Sequence, residues 1–84
     1  MDRFAAMASF VRIVESGSLS AAARAQGQSL AAVSRQLAQF EDELGVRLLN
    51  RTTRKVVATE PGRAFYAQAK RILGDLEEAE AALT

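Results

Sequence analysis

The chain has 84 residues, 49% hydrophobic and 25% charged, so it can form one folded domain with a single small core. The sequence contains no cysteine or histidine, which excludes disulfides, thiolate metal sites and the commonest catalytic base; no cofactor or metal is expected. No apolar run reaches the roughly 20 residues of a membrane span, and the N-terminus lacks a secretory pattern, so we expect a cytoplasmic protein without membrane contact.

Charge is unevenly distributed along the chain, although the formal net charge is only +1. Every charged residue between positions 45 and 59 is basic, whereas every charged residue between positions 72 and 84 is acidic. Such a polarised molecule can meet a polyanion with one part of its surface. Chance segregation of surface charge is the alternative in so short a chain.

The first segment, residues 2–16, predicts an amphipathic helix. Asp2 is a suitable N-cap, and Gly17 is a suitable stop. Apolar residues recur at spacings of three and four, as the buried face of a helix requires; they are Phe4, Met7, Val11 and Val14.

Two further helices follow. Ser18 can cap a short alanine-rich helix that Gly27 ends, and Ser29 can cap a third helix that runs to about Leu44 and stops at Gly45. The third helix has a predicted buried stripe, again at spacings of four, three and four: Val33, Leu37, Phe40 and Leu44.

Residues 46–50 and 55–59 are rich in β-branched and bulky apolar residues and predict two short strands around a polar, basic tip. Continuation of the helix through Leu48 and Leu49 is the alternative. A fourth helix is predicted to begin near Thr59, which can cap it, with Pro61 tolerated in its first turn.

The fourth helix carries a heptad seam, spaced four, three, four, three and four: Phe65, Ala69, Ile72, Leu76, Ala79 and Leu83. An exposed apolar seam of this kind predicts a homodimer, and the alternative is packing on the chain's own first helix. We expect both, with Phe65 and Ala69 also serving the core. The sequence ends inside the pattern, so the chain looks truncated.

Residues 18–37 fit a helix-turn-helix. Ala23 is small where two helices approach closely, Gly27 lies at the turn, and Val33 packs the second helix on the first. This motif holds its second helix at roughly 90–120° to the first and projects it outward. The alanine–glycine–valine spacing alone is a weak signal, because alanine-rich helices produce it by accident.

The outward face of the third helix favours DNA. Small residues there let a helix enter the major groove, Ser34 can bond to a phosphate or base edge, and Arg35 can bond bidentately to guanine. No acid precedes Glu41 on this helix. An ordinary solvated face with one arginine is the alternative. The predicted face consists of Ala31, Ser34, Arg35, Ala38 and Gln39.

The basic tip between the two strands predicts a wing. Arg51, Arg54 and Lys55, with Thr52 and Thr53 between them, suit contact with the adjacent DNA backbone or minor groove. An edge hairpin protected by charge is the alternative. Its position directly after a helix-turn-helix favours the wing.

These residues resemble the N-terminal domain of LysR-type transcriptional regulators along essentially the whole chain. The matching segments are Phe10-Val11, Glu15 to Ala23, Ala32 to Leu37, Glu41, Leu44 to Arg54, Thr59-Glu60 and Gly62. The resemblance implies a mainly α, winged helix-turn-helix fold with a three-helix core and a two-stranded wing, followed by a long dimerisation helix. It divides the chain into a DNA-binding domain, residues 1–59, and a linker helix, residues 60–84.

The resemblance also implies function. It predicts a bacterial transcription factor, associated with the nucleoid, that binds a dyad-symmetric promoter site as a homodimer, with tetramers in the full-length protein. A C-terminal domain absent from this chain would bind a small-molecule inducer. Pattern and resemblance together predict DNA contacts by Ser20, Ser29, Leu30, Ala31, Ser34, Arg35, Ala38, Gln39, Arg51, Thr53, Arg54 and Lys55.

The sequence departs from the family pattern around the turn. The family usually has glutamine and proline where Leu30 and Ala31 stand, and leucines where Gln26 and Gln28 stand. Burying two glutamines would cost about 1–3 kcal/mol each. We therefore expect Leu30 to fold back into the space that the leucines would fill.

Two other classes of function are alternatives to DNA binding. A winged helix that has lost DNA binding and serves as a protein-interaction module is the alternative to a DNA-binding domain. An enzyme would need a pocket around its carboxylates, and the acidic pairs are interpreted as solvated helix surface instead; they are Glu41 with Glu43 and Glu77 with Glu78.

Overall fold

The computed structural model describes residues 2–51 and 55–84. Its elements confirm the predicted order and the mainly α, winged helix-turn-helix architecture. The two strands pair antiparallel and are shorter than expected, with Asn50 opposite Val57. The elements are α1 (Arg3–Ser16), α2 (Leu19–Gln26), α3 (Leu30–Leu44), β1 (Leu49–Arg51), β2 (Val56–Ala58) and α4 (Glu60–Ala81).

Local side-chain bonds define where the four helices begin. In each case the capping oxygen accepts a backbone N–H three residues on, which satisfies a donor that has no partner within the helix. The first three helices each end at a glycine. All the predicted N-caps are confirmed; they are Asp2, Ser18, Ser29 and Thr59.

The core lies between α1, α3 and the first half of α4. Phe65 of α4 packs against the rings of Phe10 and Phe40, with centroid separations of 5.5 and 5.8 Å. Val33, Leu37 and Phe40 are buried as predicted. Aromatic pairs at this distance add to the stabilisation that burial provides.

The predicted buried face of α1 is partly wrong. Phe4 is 55% exposed, whereas Phe10 and Ile13, which the periodic stripe omitted, have no accessible surface. Helix α1 packs against α2, α3 and α4 together, so its buried surface wraps around most of the helix. One stripe of residues cannot describe a helix with three neighbours, and Phe4 lies near its exposed start.

Glu41 was expected on the solvated surface, and this prediction is wrong. The side chain is buried, and its Oε2 accepts the backbone N–H of Leu48 at 2.7 Å and of Leu49 at 3.0 Å. A buried carboxylate persists only where donors compensate for its lost hydration. Glu41 therefore fastens α3 to the start of the sheet.

Helix α4 fastens the same backbone from the other side. The hydroxyl of Thr59 donates to the carbonyl of Arg47 at 2.7 Å. At Gly62 a Cβ would lie 1.9 Å from the carbonyl oxygen of Leu48, so only glycine allows this approach. The base of the wing is thus held between α3 and α4.

The expectation that Leu30 folds back is wrong as well, since Leu30 is 50% exposed. Gln26 fills its own space: its Nε2 donates to the hydroxyl of Ser9, which is buried, and to the carbonyl of Ala22, each at 3.1 Å. Gln28 is exposed and bears no burial cost. A hydrogen bond therefore joins α1 and α2 where we expected apolar packing.

Helix α4 extends beyond the buried core. Ala69 has no accessible surface, whereas Ile72 and Leu76 are 43% and 42% exposed. The helix ends at Ala81, so Leu83, predicted as part of the seam, lies beyond it and is 87% exposed. The part of α4 up to Leu73 packs on the core, and the seam residues beyond it are exposed.

Candidate nucleic-acid interface

The turn between α2 and α3 sets the direction of α3. Gly27 has φ +65°, and the N–H of Gln28 bonds back to the carbonyl of Ala23 at 2.9 Å. Ala23 and Val33 are both buried at the contact between the two helices. The beginning of α3 is left on the surface, where Leu30 is exposed, as are Ser29 before it and Ala31 after it.

The five residues predicted for the outer face of α3 reach the surface of the protein. Ala31, Arg35, Ala38 and Gln39 are exposed, and Ser34 is half-buried. Short side chains therefore surround one arginine. Guanidinium, hydroxyl and amide groups of this kind bond to phosphate oxygens and to base edges in the major groove.

Arg51 joins this face to the wing. Its Nη1 donates to the hydroxyl oxygen of Ser34 at 2.9 Å, across 17 residues of sequence. The hydroxyl accepts in this bond, so its own proton is not used there and can be donated to an anion. The structure brings together Ser34, Arg35 and Arg51, and it couples two of them directly.

Acidic residues lie away from the beginning of α3. The first acid along the helix is Glu41, whose carboxylate is buried and bonded to backbone N–H groups, followed by the exposed Asp42. The first eleven residues of α3, positions 30–40, thus carry only positive charge. A polyanion can approach this part of the helix without meeting a like charge.

Five further predicted contacts lie outside this face or outside the described residues. The hydroxyl of Ser29 accepts the N–H of Ala32 at 3.0 Å, so it serves the helix cap. Ser20 is exposed on α2, and Lys55 is exposed just before β2. Thr53 and Arg54 lie outside the described residues. A DNA contact by any of these residues stays a prediction.

The predicted dimer seam has two parts. Phe65 is half-buried and Ala69 fully buried in the chain's own core, which is the role we expected for the first part of the seam. Ile72, Leu76 and Ala79 are exposed. Ile72 also lines an apolar groove of about 240 Å³, together with Phe4, Met7, Phe40, Leu44 and Phe65. The sequence assigned Phe4 to the core and so missed its place beside this groove.

A polar cluster clamps α4 to α1. The carboxylate of Glu15 accepts the hydroxyl of Tyr66 and contacts the ammonium of Lys70, each at 2.7 Å. Hydrogen bonds from Lys70 and Tyr66 lower the pKa of Glu15, and the same contacts raise the pKa of both partners. The spacing of 51 residues between Glu15 and Tyr66 gives no sequence signal.

Two other kinds of site are absent from residues 2–51 and 55–84. No cluster of three acidic, histidine or cysteine side chains could hold a metal ion there. No helix in the same residues has the length and hydrophobicity to cross a membrane.

Known proteins share this sequence and this fold. The family model of the bacterial regulatory helix-turn-helix proteins of the lysR family matches residues 4–63. An HTH-type transcriptional repressor of Pseudomonas aeruginosa is 45% identical over 83 residues, which are 99% of this chain and 26% of that protein. The transcriptional activator AaeR of Escherichia coli is 41% identical over 78 residues, 93% of this chain and 25% of AaeR. The chain therefore spans about a quarter of these relatives.

Solved structures extend the likeness to three dimensions. The BenM DBD in a complex with catB site 1 DNA has a TM-score of 0.92 and 31% identity, covering 99% of this chain and 92% of that one. The CbnR DBD in a DNA complex has a TM-score of 0.84 and 33% identity, and both chains are covered completely. The sequence match and these structural matches agree on one assignment: the chain belongs to the LysR family of bacterial regulatory helix-turn-helix proteins.

Proposed function

We propose that this chain binds double-stranded DNA sequence-specifically, as the DNA-binding part of a homodimeric LysR-type transcriptional regulator without catalytic activity. One observation carries the proposal: Arg51 of the wing is bonded to Ser34 in the part of α3 that precedes its first acid, next to the exposed Arg35. The likeness to family members solved with DNA supports it. Because promoter DNA is the proposed ligand, we also propose that the protein is cytoplasmic and associated with the nucleoid.

Each residue of this surface has a proposed role. The small side chains of Ala31 and Ala38 let α3 sink into the major groove, where Arg35 bonds to the O6 and N7 of a guanine. Ser34 and Arg51 bond to phosphate and fix the register of the helix. The wing residues Arg54 and Lys55 reach the adjacent backbone or minor groove.

The dimer is proposed to form through the exposed part of the seam, Ile72, Leu76 and Ala79. Two copies would then present two α3 helices to a dyad-symmetric site. The division into a DNA-binding domain, 1–59, and a linker helix, 60–84, belongs to the same proposal. So do tetramers and an inducer-binding domain in a whole protein of the length of its relatives.

Selection from random duplexes, followed by fluorescence anisotropy at several salt concentrations, tests the proposal. We expect a selected dyad-symmetric site and an affinity that falls steeply with salt, because bound cations release counterions from phosphates. Binding that shows neither sequence preference nor salt dependence would overturn it and favour the protein-interaction module.

Arg35→Ala separates base reading from phosphate binding. We expect it to weaken binding to the selected duplex by about 1–3 kcal/mol and to relax the preference at one base pair. Arg12→Ala removes the same charge from the exposed surface of α1 and is the matched control. An equal loss on every duplex would make Arg35 a phosphate contact instead.

A further inference from the structure

Leu30 is an exposed apolar side chain at the outer tip of the helix-turn-helix. It is the first residue of α3, 50% exposed, and it belongs neither to the buried core nor to the apolar residues packed around it. The other large apolar side chains with comparable exposure in residues 2–51 and 55–84 lie outside α2 and α3; they are Phe4, Val46, Val57, Ile72, Leu76 and Leu83.

Leu30 is the longest exposed side chain in the first turn of α3. Ser29 uses its hydroxyl to cap the helix, Ala31 and Ala32 end at Cβ, and Val33 is buried. A surface that enters a groove with its first turn therefore meets the base edges with an isobutyl group. This group has neither a donor nor an acceptor.

Base chemistry then decides what such a group can recognise. Thymine is the one base whose major-groove edge presents a methyl group, whereas adenine and cytosine present amino groups and guanine two acceptors. Against a polar edge, the side chain would displace water and return no hydrogen bond. Against a methyl, it removes apolar surface from water on both sides.

We propose that Leu30 contacts the C5 methyl of a thymine and so selects one T·A pair in each half-site. The inference rests on the proposed function, which brings α3 into the major groove, and adds the identity of one base. The free chain leaves this side chain in water, so the contact recovers burial that the fold does not provide.

Replacing thymine by deoxyuridine tests the contact, because it removes one methyl group and leaves base pairing and backbone intact. Each thymine of the selected duplex is replaced in turn, and anisotropy gives the affinity. At one position per half-site we expect binding by the unaltered chain to weaken about fourfold, the effect of one buried methyl. The same replacement should leave the affinity of Leu30→Ala unchanged.

Two variants sharpen the test. Val57→Ala shortens an equally exposed apolar side chain on β2, 52% exposed, and should keep the response to deoxyuridine. Leu30→Gln should move the selected base from thymine towards adenine, which a side-chain amide can pair with at N6 and N7. Both substitutions at Leu30 suit a helix, and circular dichroism checks that the variants fold.

The outcomes separate the two proposals. Loss of all sequence-specific binding by the unaltered chain defeats the proposed function. If binding is sequence-specific but every deoxyuridine replacement affects the unaltered chain and Leu30→Ala equally, the inference about Leu30 is overturned and the proposed function stands. A response to deoxyuridine that survives in Leu30→Ala also overturns it, because another side chain then reads the methyl.

Discussion

Replacing Glu41 by alanine is expected to destabilise the fold strongly. The substitution leaves the backbone N–H groups of Leu48 and Leu49 without their acceptor, and both residues are 1% exposed. A buried donor left unsatisfied costs about 1–3 kcal/mol, so the two together cost about 2–6 kcal/mol. Small domains have a total stability of about 5–15 kcal/mol, so this is a large share of it.

Thermal unfolding followed by circular dichroism measures the effect. For a chain of this size, 1 kcal/mol lowers the Tm by about 4–8 °C, so we expect a loss of at least about 8 °C for Glu41→Ala. Glu41→Gln should fall between it and the unaltered chain, because both N–H groups bond to the single oxygen Oε2 and an amide oxygen can accept both.

Glu43→Ala is the matched control, two residues along the same helix. Glu43 is exposed and makes one ion pair, with Arg3 at 3.5 Å, and a pair of this kind contributes about 0–1 kcal/mol. If Glu41→Ala lowers the Tm no more than Glu43→Ala does, the carboxylate does not fasten the sheet to α3.

Three further predictions concern α4 and its contacts. Gly62→Ala should lower the free energy of unfolding, measured in urea, by about 1–3 kcal/mol, because the added Cβ meets the carbonyl of Leu48. Gly74→Ala is the control: a Cβ there has nothing within 4 Å, so the substitution should raise the free energy of unfolding by about 0.5–1 kcal/mol. Equal effects of the two substitutions would refute the close approach at Gly62. Leu76→Glu should shift the chain towards monomer in sedimentation, since a charge in the seam must be desolvated; an unchanged profile would exclude this contact. The lowered pKa of Glu15 makes its contribution complete above its usual pKa of 4.5 and lost as the pH falls through the folded value, so the Tm difference from Glu15→Gln should shrink in acid. A constant difference would contradict the clamp.

The helix boundaries could be predicted because their causes are local. Each N-cap bonds to an N–H only three residues away, so the capping residue and its helix lie in one stretch of sequence. The outer face of α3 was predictable for a related reason. The buried residues of α3 lie on one side of the helix, so helical periodicity alone identifies the exposed side of α3.

The contacts that were missed join distant parts of the chain. The acceptor role of Glu41 depends on where β1 begins, and the bond from Arg51 to Ser34 depends on how the wing lies against α3. Neither has a periodic signal. The predicted burial of Phe4 was wrong for the opposite reason, because Phe4 does fit the helical period of α1. Burial also requires a neighbouring element that covers the side chain, and tertiary structure decides whether there is one.

The two kinds of contact together explain how a wing of three-residue strands can have a defined position. A two-stranded hairpin is marginally stable by itself, so its position must be set by neighbouring elements. Glu41 and Thr59 hold the backbone where β1 begins, and Arg51 at the other end of β1 is bonded to Ser34. Because both ends are fixed, the spacing between Arg51 and Arg35 is established before DNA binds, and less conformational entropy is lost on binding. Contacts remote from the reading face thereby contribute to its affinity.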